Sequence, residues 1–322
     1  MKNKLRKIKN IFKEFGITFS IKYLYYKAFH KDEKYIELVY KVLFKDISPL
    51  IDKYKGISEE KGTIENNVPI WVCWWQGYEN MPQLCKMLFN RIKQMAPNNS
   101  DVVLITLDNY LEYAQIPNLL VEKFENGNIS MTTFSDILRN YLIRDNGGLW
   151  IDTSVFVSKN ISEDFLKSDK WWSVKLYDKN ATICNLGQKI SERRWSGFLQ
   201  KGAKGNLLNS FVSEAFLIYF KKHDIIVDYF IQNLFIKIAY NNIPFIKKII
   251  DGIPSNNINV YSLYDNIDEE FNEISYSEWN SNTSFYKLTQ KREYNINTEN
   301  GKMTYFGAIK KICEEGAKEY YG

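Results

Sequence analysis

Three ionisable side chains set the chemistry open to this chain. Asp152 ends a short apolar run, Gly147-Gly148-Leu149-Trp150-Ile151-Asp152, and is followed by Thr153 and Ser154. Just upstream, in Ser135-Asp136-Ile137-Leu138-Arg139, an acid and a base lie three residues apart. On a helix that spacing puts Asp136 and Arg139 on one face. A strand-end carboxylate is costly to bury unpaired, and a divalent cation bridging to a diphosphate would neutralise it and stabilise a leaving phosphate. Arg139 suits diphosphate oxygens, and Asp136 can accept hydrogen bonds from sugar hydroxyls. Each residue also has a plainer reading. Asp152 can be an N-cap or turn residue, and Asp136 with Arg139 a surface ion pair of little energetic weight. Their order along the chain favours the chemical reading.

The elements that must position these groups follow from hydrophobic periodicity. Val68-Pro69 opens a buried strand, Ile70 to Trp75, ending at Gln76-Gly77. Pro82 starts a helix carrying Leu84, Leu88, Ile92 and Met95, and Val102–Thr106 is a second strand. Pro117 starts another helix, closed by Gly127. Thr133–Arg144 is the helix bearing Asp136 and Arg139, with Gly147 as its C-terminal cap, and Leu149–Thr153 is the next strand. This alternation predicts an α/β fold with a mostly parallel sheet. Ligands in such sheets bind beyond the carboxyl ends of the strands, where Gln76, Gly77 and Asp152 fall. Residues 1–50 read as helices and 51–67 as a connector. Residues 207–219 and 225–240 have helical spacing up to Gly252 and Pro254, and 255–300 read as loops with short strands. The domain expectation is a basic helical segment over 1–60 and a catalytic body over 61–322, with a helical insertion around 205–252 and a helical C-terminal addition.

Composition narrows the partners. A chain of 322 residues with 45% apolar and 25% charged side chains can bury a large core. Two histidines exclude a metal centre built on several imidazoles, so any metal is held by oxygen, which means Mg²⁺ or Mn²⁺. Four scattered cysteines, Cys73, Cys85, Cys184 and Cys313, suggest neither a zinc knuckle nor a disulfide framework and point to the cytoplasm. Residues 1–31 hold nine Lys or Arg against one acid, Glu14, while the rest holds 34 basic and 37 acidic residues. Nucleic acid is therefore not an expected partner of the body. Leu5, Ile8, Phe12, Phe15 and Phe19 recur at helical spacing between the lysines. Such a helix can lie on the inner face of a membrane or pack its stripe on the body. No apolar run is long enough to span a bilayer.

Three ordered motifs together resemble the capsular polysaccharide synthesis protein family. They are Val68-Pro69-Ile70-Trp71-Val72-Cys73-Trp74-Trp75-Gln76-Gly77, Ser135-Asp136-Ile137-Leu138-Arg139 and Gly147-Gly148-Leu149-Trp150-Ile151-Asp152-Thr153. The family is a bacterial relative of glycosyltransferases with a DXD motif, among them yeast initiating mannosyltransferases and glucosylating clostridial toxins. The likeness spans residues 65 to 290, roughly. It implies a GT-A-like (Rossmann-like) fold, a UDP- or GDP-linked sugar as donor, Mn²⁺ or Mg²⁺, and retention of anomeric configuration. The implied acceptor is an oligosaccharide, lipid-linked in surface polysaccharide synthesis.

By the same resemblance Trp74 or Trp75 meets the base, with Gln76 and Gly77 beside it. Ser135, Asp136, Arg139 and Gly148 surround the donor sugar and diphosphate, Asp136 and Asp152 are catalytic, and Asp152 holds the metal. Phe285-Tyr286-Lys287-Leu288 matches a late family motif, which brings Lys287 to the diphosphate; alone it would read as a surface lysine. The chain departs from a full DXD at Ser154, where a second acid would stand. Asp228 is a candidate for a further metal ligand only by default, and a solvated helix position is its plainer reading. The rival reading is a sugar- or nucleotide-binding protein whose weakened acid motif no longer supports turnover.

Overall fold

The computed structural model describes residues 2–59, 62–63, 67–176 and 185–321, with side chains described between residues 8 and 316. Cys184 lies outside the described residues; Cys73, Cys85 and Cys313 are free thiols.

Two helices open the chain, α1 (Lys2–Ala28) and α2 (Asp32–Tyr54). Gly16 breaks the helical geometry of α1 with φ 77° and ψ 169°, which a residue without Cβ adopts freely. Pro49 inside α2 cannot donate to Lys45 O, and the Ser48 hydroxyl supplies that bond instead at 3.2 Å. Tyr35, Val39, Leu43, Ile47, Leu50, Ile51 and Tyr54 form the buried stripe of α2.

The central sheet holds β1 (Ile70–Cys73), β2 (Val102–Ile105), β3 (Gly148–Ile151), β5 (Trp172–Ser173) and β6 (Leu199–Gly202), in the order β2-β1-β3-β6-β5. β1 is parallel to β2 and β3; β6 runs antiparallel to β3, and β5 antiparallel to β6. Four of the five strands therefore point the same way, and a reversed β6 lies between two of them. A second ribbon pairs β4 (Val155–Val157) with β7 (Phe285–Lys287), antiparallel. Both faces of the sheet are covered. Trp71 and Trp150 enter one apolar cluster with α1, α2 and the helices α4 (Met131–Asn146), α5 (Leu207–Lys222) and α6 (Ile231–Asn242). Ile70, Val72, Leu149 and Ile151 enter the other with α3 (Gln83–Met95). This is the alternation that the strand pleat imposes.

One expectation changes, and one open alternative is decided. The stretch 255–300 contains a helix, Glu273–Asn282, with no buried residue and no apolar period to announce it. Its signal is local: the Asn272 side chain accepts from Ser275 N at 3.0 Å, an N-cap. The expected stripe of α1 is also largely committed to the body. Phe19 is buried and Phe15 stacks on His223 at 4.9 Å, while Ile8 and Phe12 are half-buried; the Leu5 side chain is outside those described.

Candidate functional site

Side-chain parity on β3 decides where Asp152 points. Trp150 and Asp152 fall on one face of the strand, the face covered by α4. The Trp150 indole donates to Asp152 Oδ1 at 2.9 Å and fixes the carboxylate. Helix α4 starts at Ser130, whose hydroxyl accepts from Thr133 N at 3.2 Å, and stops at Gly147 with φ 71°. These caps set the helix so that Asp136 and Arg139 meet the strand tip. Arg139 Nη1 lies 3.2 Å from Asp136 and Nη2 3.5 Å from Asp152. The guanidinium also stacks 4.9 Å above the Trp150 ring.

The fourth member arrives from far along the chain. The β4–β7 register sets Lys287 opposite Val155. Its ammonium then donates to Asp152 Oδ2 at 2.8 Å and to Ser154 Oγ at 2.7 Å. Asp136, Arg139, Asp152 and Lys287 thus meet in one cluster at the carboxyl end of β3.

Charge follows geometry. Burial pushes the Asp136 carboxyl up to about 6, against the pull of Arg139, and the charge of Asp152 adds to the rise. Burial acts on Asp152 in the same direction, but Lys287 and Arg139 outweigh it and hold the group below the usual carboxylate range. Two acids in one cluster therefore have separated roles, one fully ionised and one that titrates near neutrality. Cys73, at the end of β1, is kept as a neutral thiol by burial.

Several expected residues take structural parts instead. Trp75 is buried against Tyr110, Phe124 and Phe134, and its indole donates to Ser135 Oγ at 2.8 Å. It is a core residue, because its ring is buried among other aromatics and its N–H is already bonded. Ser135 anchors it and bonds Met131 O at 2.9 Å. Trp74 is half-buried and is the member of the pair left near the surface, its indole on Asn80 O at 3.3 Å. Gly77, with φ 79°, makes the turn after β1, and Gln76 is exposed beside it. Gly148 lies at the opposite end of β3 from Asp152. A Cβ there would stand 2.3 Å from Pro69 O, so close packing requires this glycine rather than ligand binding. Asp228 is buried and accepts from Tyr35 Oη and, at 2.7 Å, from Phe230 N; it ties α2 to the body.

Three contributors were not visible in the sequence. Gln232 accepts from Arg139 Nη1 at 3.4 Å, or 3.2 Å with its amide turned. Gly197 leaves room for the arginine, since a Cβ there would lie 3.0 Å from Nη1. Tyr229 is exposed at the rim; burial and then the negative charges of Asp136 and Asp152 raise its phenol. All three come from segments without a local motif.

The residues present do not suit a divalent ion. Asp152 is the single carboxylate of the acid motif, both its oxygens are engaged, and the space between it and Ser154 is bridged by an ammonium. Among the described residues no group of three or more His, Cys, Asp or Glu is placed to hold a metal. A cavity of about 440 Å³, lined by Trp171, Trp172, Lys201 and Phe245 among others, does not reach this cluster and lies level with the start of β3.

Comparison with known proteins adds a family. The sequence model of the family described as "Capsular polysaccharide synthesis protein" matches residues 21–309. No curated protein matches. Among solved structures the chain is similar to "WbbM bifunctional glycosytransferase apo structure", with 14% identity and a TM-score of 0.42. The match covers 82% of this chain and 53% of that one, so the chain spans about half of that protein's length.

Proposed function

The chain belongs to the capsular polysaccharide synthesis protein family, and from that premise we propose that it is a glycosyltransferase using a nucleoside diphosphate sugar. The observation that carries the reading is the meeting of Asp136, Arg139, Asp152 and Lys287 at the carboxyl end of parallel strands. Arg139 and Lys287 are preset cations for a diphosphate, and their own carboxylate partners hold them in place without any ligand. Such preorganisation costs no rearrangement as charge develops on the leaving group. Mg²⁺ or Mn²⁺ was the expected source of that positive charge, and here Lys287 takes its part.

In the proposed step an acceptor hydroxyl oxygen bonds to the anomeric carbon as the bond from that carbon to the diphosphate oxygen breaks. The electron pair leaves with the diphosphate, and the hydroxyl proton passes to a phosphate oxygen on the same face. That course gives retention and needs no enzymic nucleophile; a double displacement would need a carboxylate on the far face of the sugar. Ionised Asp136 accepts from hydroxyls of the donor sugar, and Asp152 orients both cations. Trp74 is the aromatic left for the base. The acceptor is a growing oligosaccharide, lipid-linked, in surface polysaccharide synthesis.

A panel of UDP- and GDP-sugars tests this by thermal shift and by product formation, each with Mn²⁺ and with EDTA. The expected result is stabilisation and transfer with one donor, unchanged by EDTA. Binding of donors without hydrolysis or transfer would leave a sugar-nucleotide-binding protein, and no binding at all would end the reading.

A further inference from the structure

Helix α1 carries a second apolar stripe besides the one it packs on the body. Ile17 is 69% exposed, Ile21 57%, Tyr25 44% and Phe29 63%. Steps of four residues place them in a row along one side of the helix and its end. Isolated exposed apolar residues are ordinary, but a row of four is not. Lys9, Lys13 and Lys22 are exposed on the same helix, whereas the Lys27 ammonium turns back to Tyr23 Oη at 3.3 Å. The only acid among residues 1–31 is turned away: Glu14 faces His223 Nδ1 at 3.3 Å and accepts from Asp224 N at 2.7 Å. The outward side of α1 therefore presents apolar groups and positive charge without a negative one among its described side chains.

We propose that this side of α1 seats on an anionic lipid bilayer, lying in the interface rather than crossing it. Among the described residues no helix is long and apolar enough to cross. Charge complementarity selects the occupant. A second copy of this chain would bring the same positive face, and the remaining sequence, with 34 basic and 37 acidic residues, offers no strongly acidic counterpart. Anionic headgroups attract the lysines while the acyl boundary takes the isoleucines and aromatics. The position also suits the chemistry. Tyr23 Oη on α1 donates to Val227 O at 3.1 Å, two residues before Tyr229 at the rim of the Asp152 cluster. A bilayer-bound α1 holds that rim near the surface on which a lipid-linked acceptor would lie. The inference stands apart from the transferase reading, because a chain that binds bilayers but transfers nothing leaves it intact.

The test is flotation of the full chain with phosphatidylcholine vesicles, with and without phosphatidylglycerol, at low and high salt. The wild type is expected to float with anionic vesicles only and to be released by salt. The variant Ile17→Ser, Ile21→Ser, Tyr25→Ser, Phe29→Ser should lose binding by on the order of tenfold or more. Lys9→Glu with Lys22→Glu, which leaves the row intact, should weaken it at least about fivefold for each lysine. Thermal midpoints equal to wild type show that both variants fold. Failure of the wild type to float, equal flotation of either variant, or a wild-type dimer that the serine variant converts to monomer would each overturn the proposal.

Discussion

The two ends of β3 are only four residues apart, yet they answer to different constraints. At the start, Gly147 and Gly148 have positive φ and backbone neighbours too close for a side chain. There the Trp71 indole closes on Gly147 O at 2.8 Å. At the other end, Asp152 meets three donors from three separate elements, with 29% of its side chain open to solvent. One end is set by steric necessity, the other by charge held ready. A continuous motif thus splits into a part that makes the strand fit and a part that faces chemistry.

Substitutions should separate the two ends cleanly. Gly148→Ala forces a Cβ against Pro69 O at φ 107° and should prevent folding or lower Tm by on the order of 10 °C. A melt like wild type would show that the start of the strand tolerates a side chain. Asp152→Asn keeps the shape and the Trp150 bond but removes the charge that orients Arg139 and Lys287. Transfer should fall about 10²- to 10³-fold, with Tm within about 2 °C of wild type. A large loss of Tm would make Asp152 a structural residue like the glycines. Lys287→Ala removes one fixed cation and should weaken donor binding about 10- to 100-fold by calorimetry, whereas EDTA leaves wild-type binding unchanged; chelator-sensitive wild-type binding would restore the metal.

The smallest effect concerns pH. Burial raises Asp136 to about 6, so its folded form takes up a proton at a higher pH than the unfolded chain. Its ionised, accepting form is lost as pH falls through about 6. Donor affinity should then drop up to about tenfold between pH 7 and 5. Asp136→Asn should bind weakly with a flat profile in that window, and an unaltered profile would remove Asp136 from the donor site.

How much of this was legible depended on periodicity. Asp136, Arg139 and Asp152 sit on or beside strongly patterned elements, so spacing puts the first two on the helix and the third at the strand end, where they lie. Trp74 and Trp75 fall at the end of β1, where alternation alone does not say which ring turns inward, and Trp75 proved to be core. Gly148 is donor-binding only by the family resemblance, and the sequence alone does not show that Pro69 O leaves no room there for a Cβ. Gly197, Gln232 and Tyr229 act on Arg139 and the rim from distant segments, and only the reversed strand β6 and helix α6 bring those segments near. Ser154 was visible as a departure from the acid motif. That Lys287 completes it required the β4–β7 pairing.

The reversal of β6 has a last consequence. Because β5 leaves the sheet and β6 re-enters it on the side of Asp152, the chain between them has both feet beside the Asp152 cluster. Insertions or exchanges in that excursion, short of Gly197 and Phe198, which touch Arg139 and Asp152, can reshape what is admitted without disturbing strand register or the charged clamp.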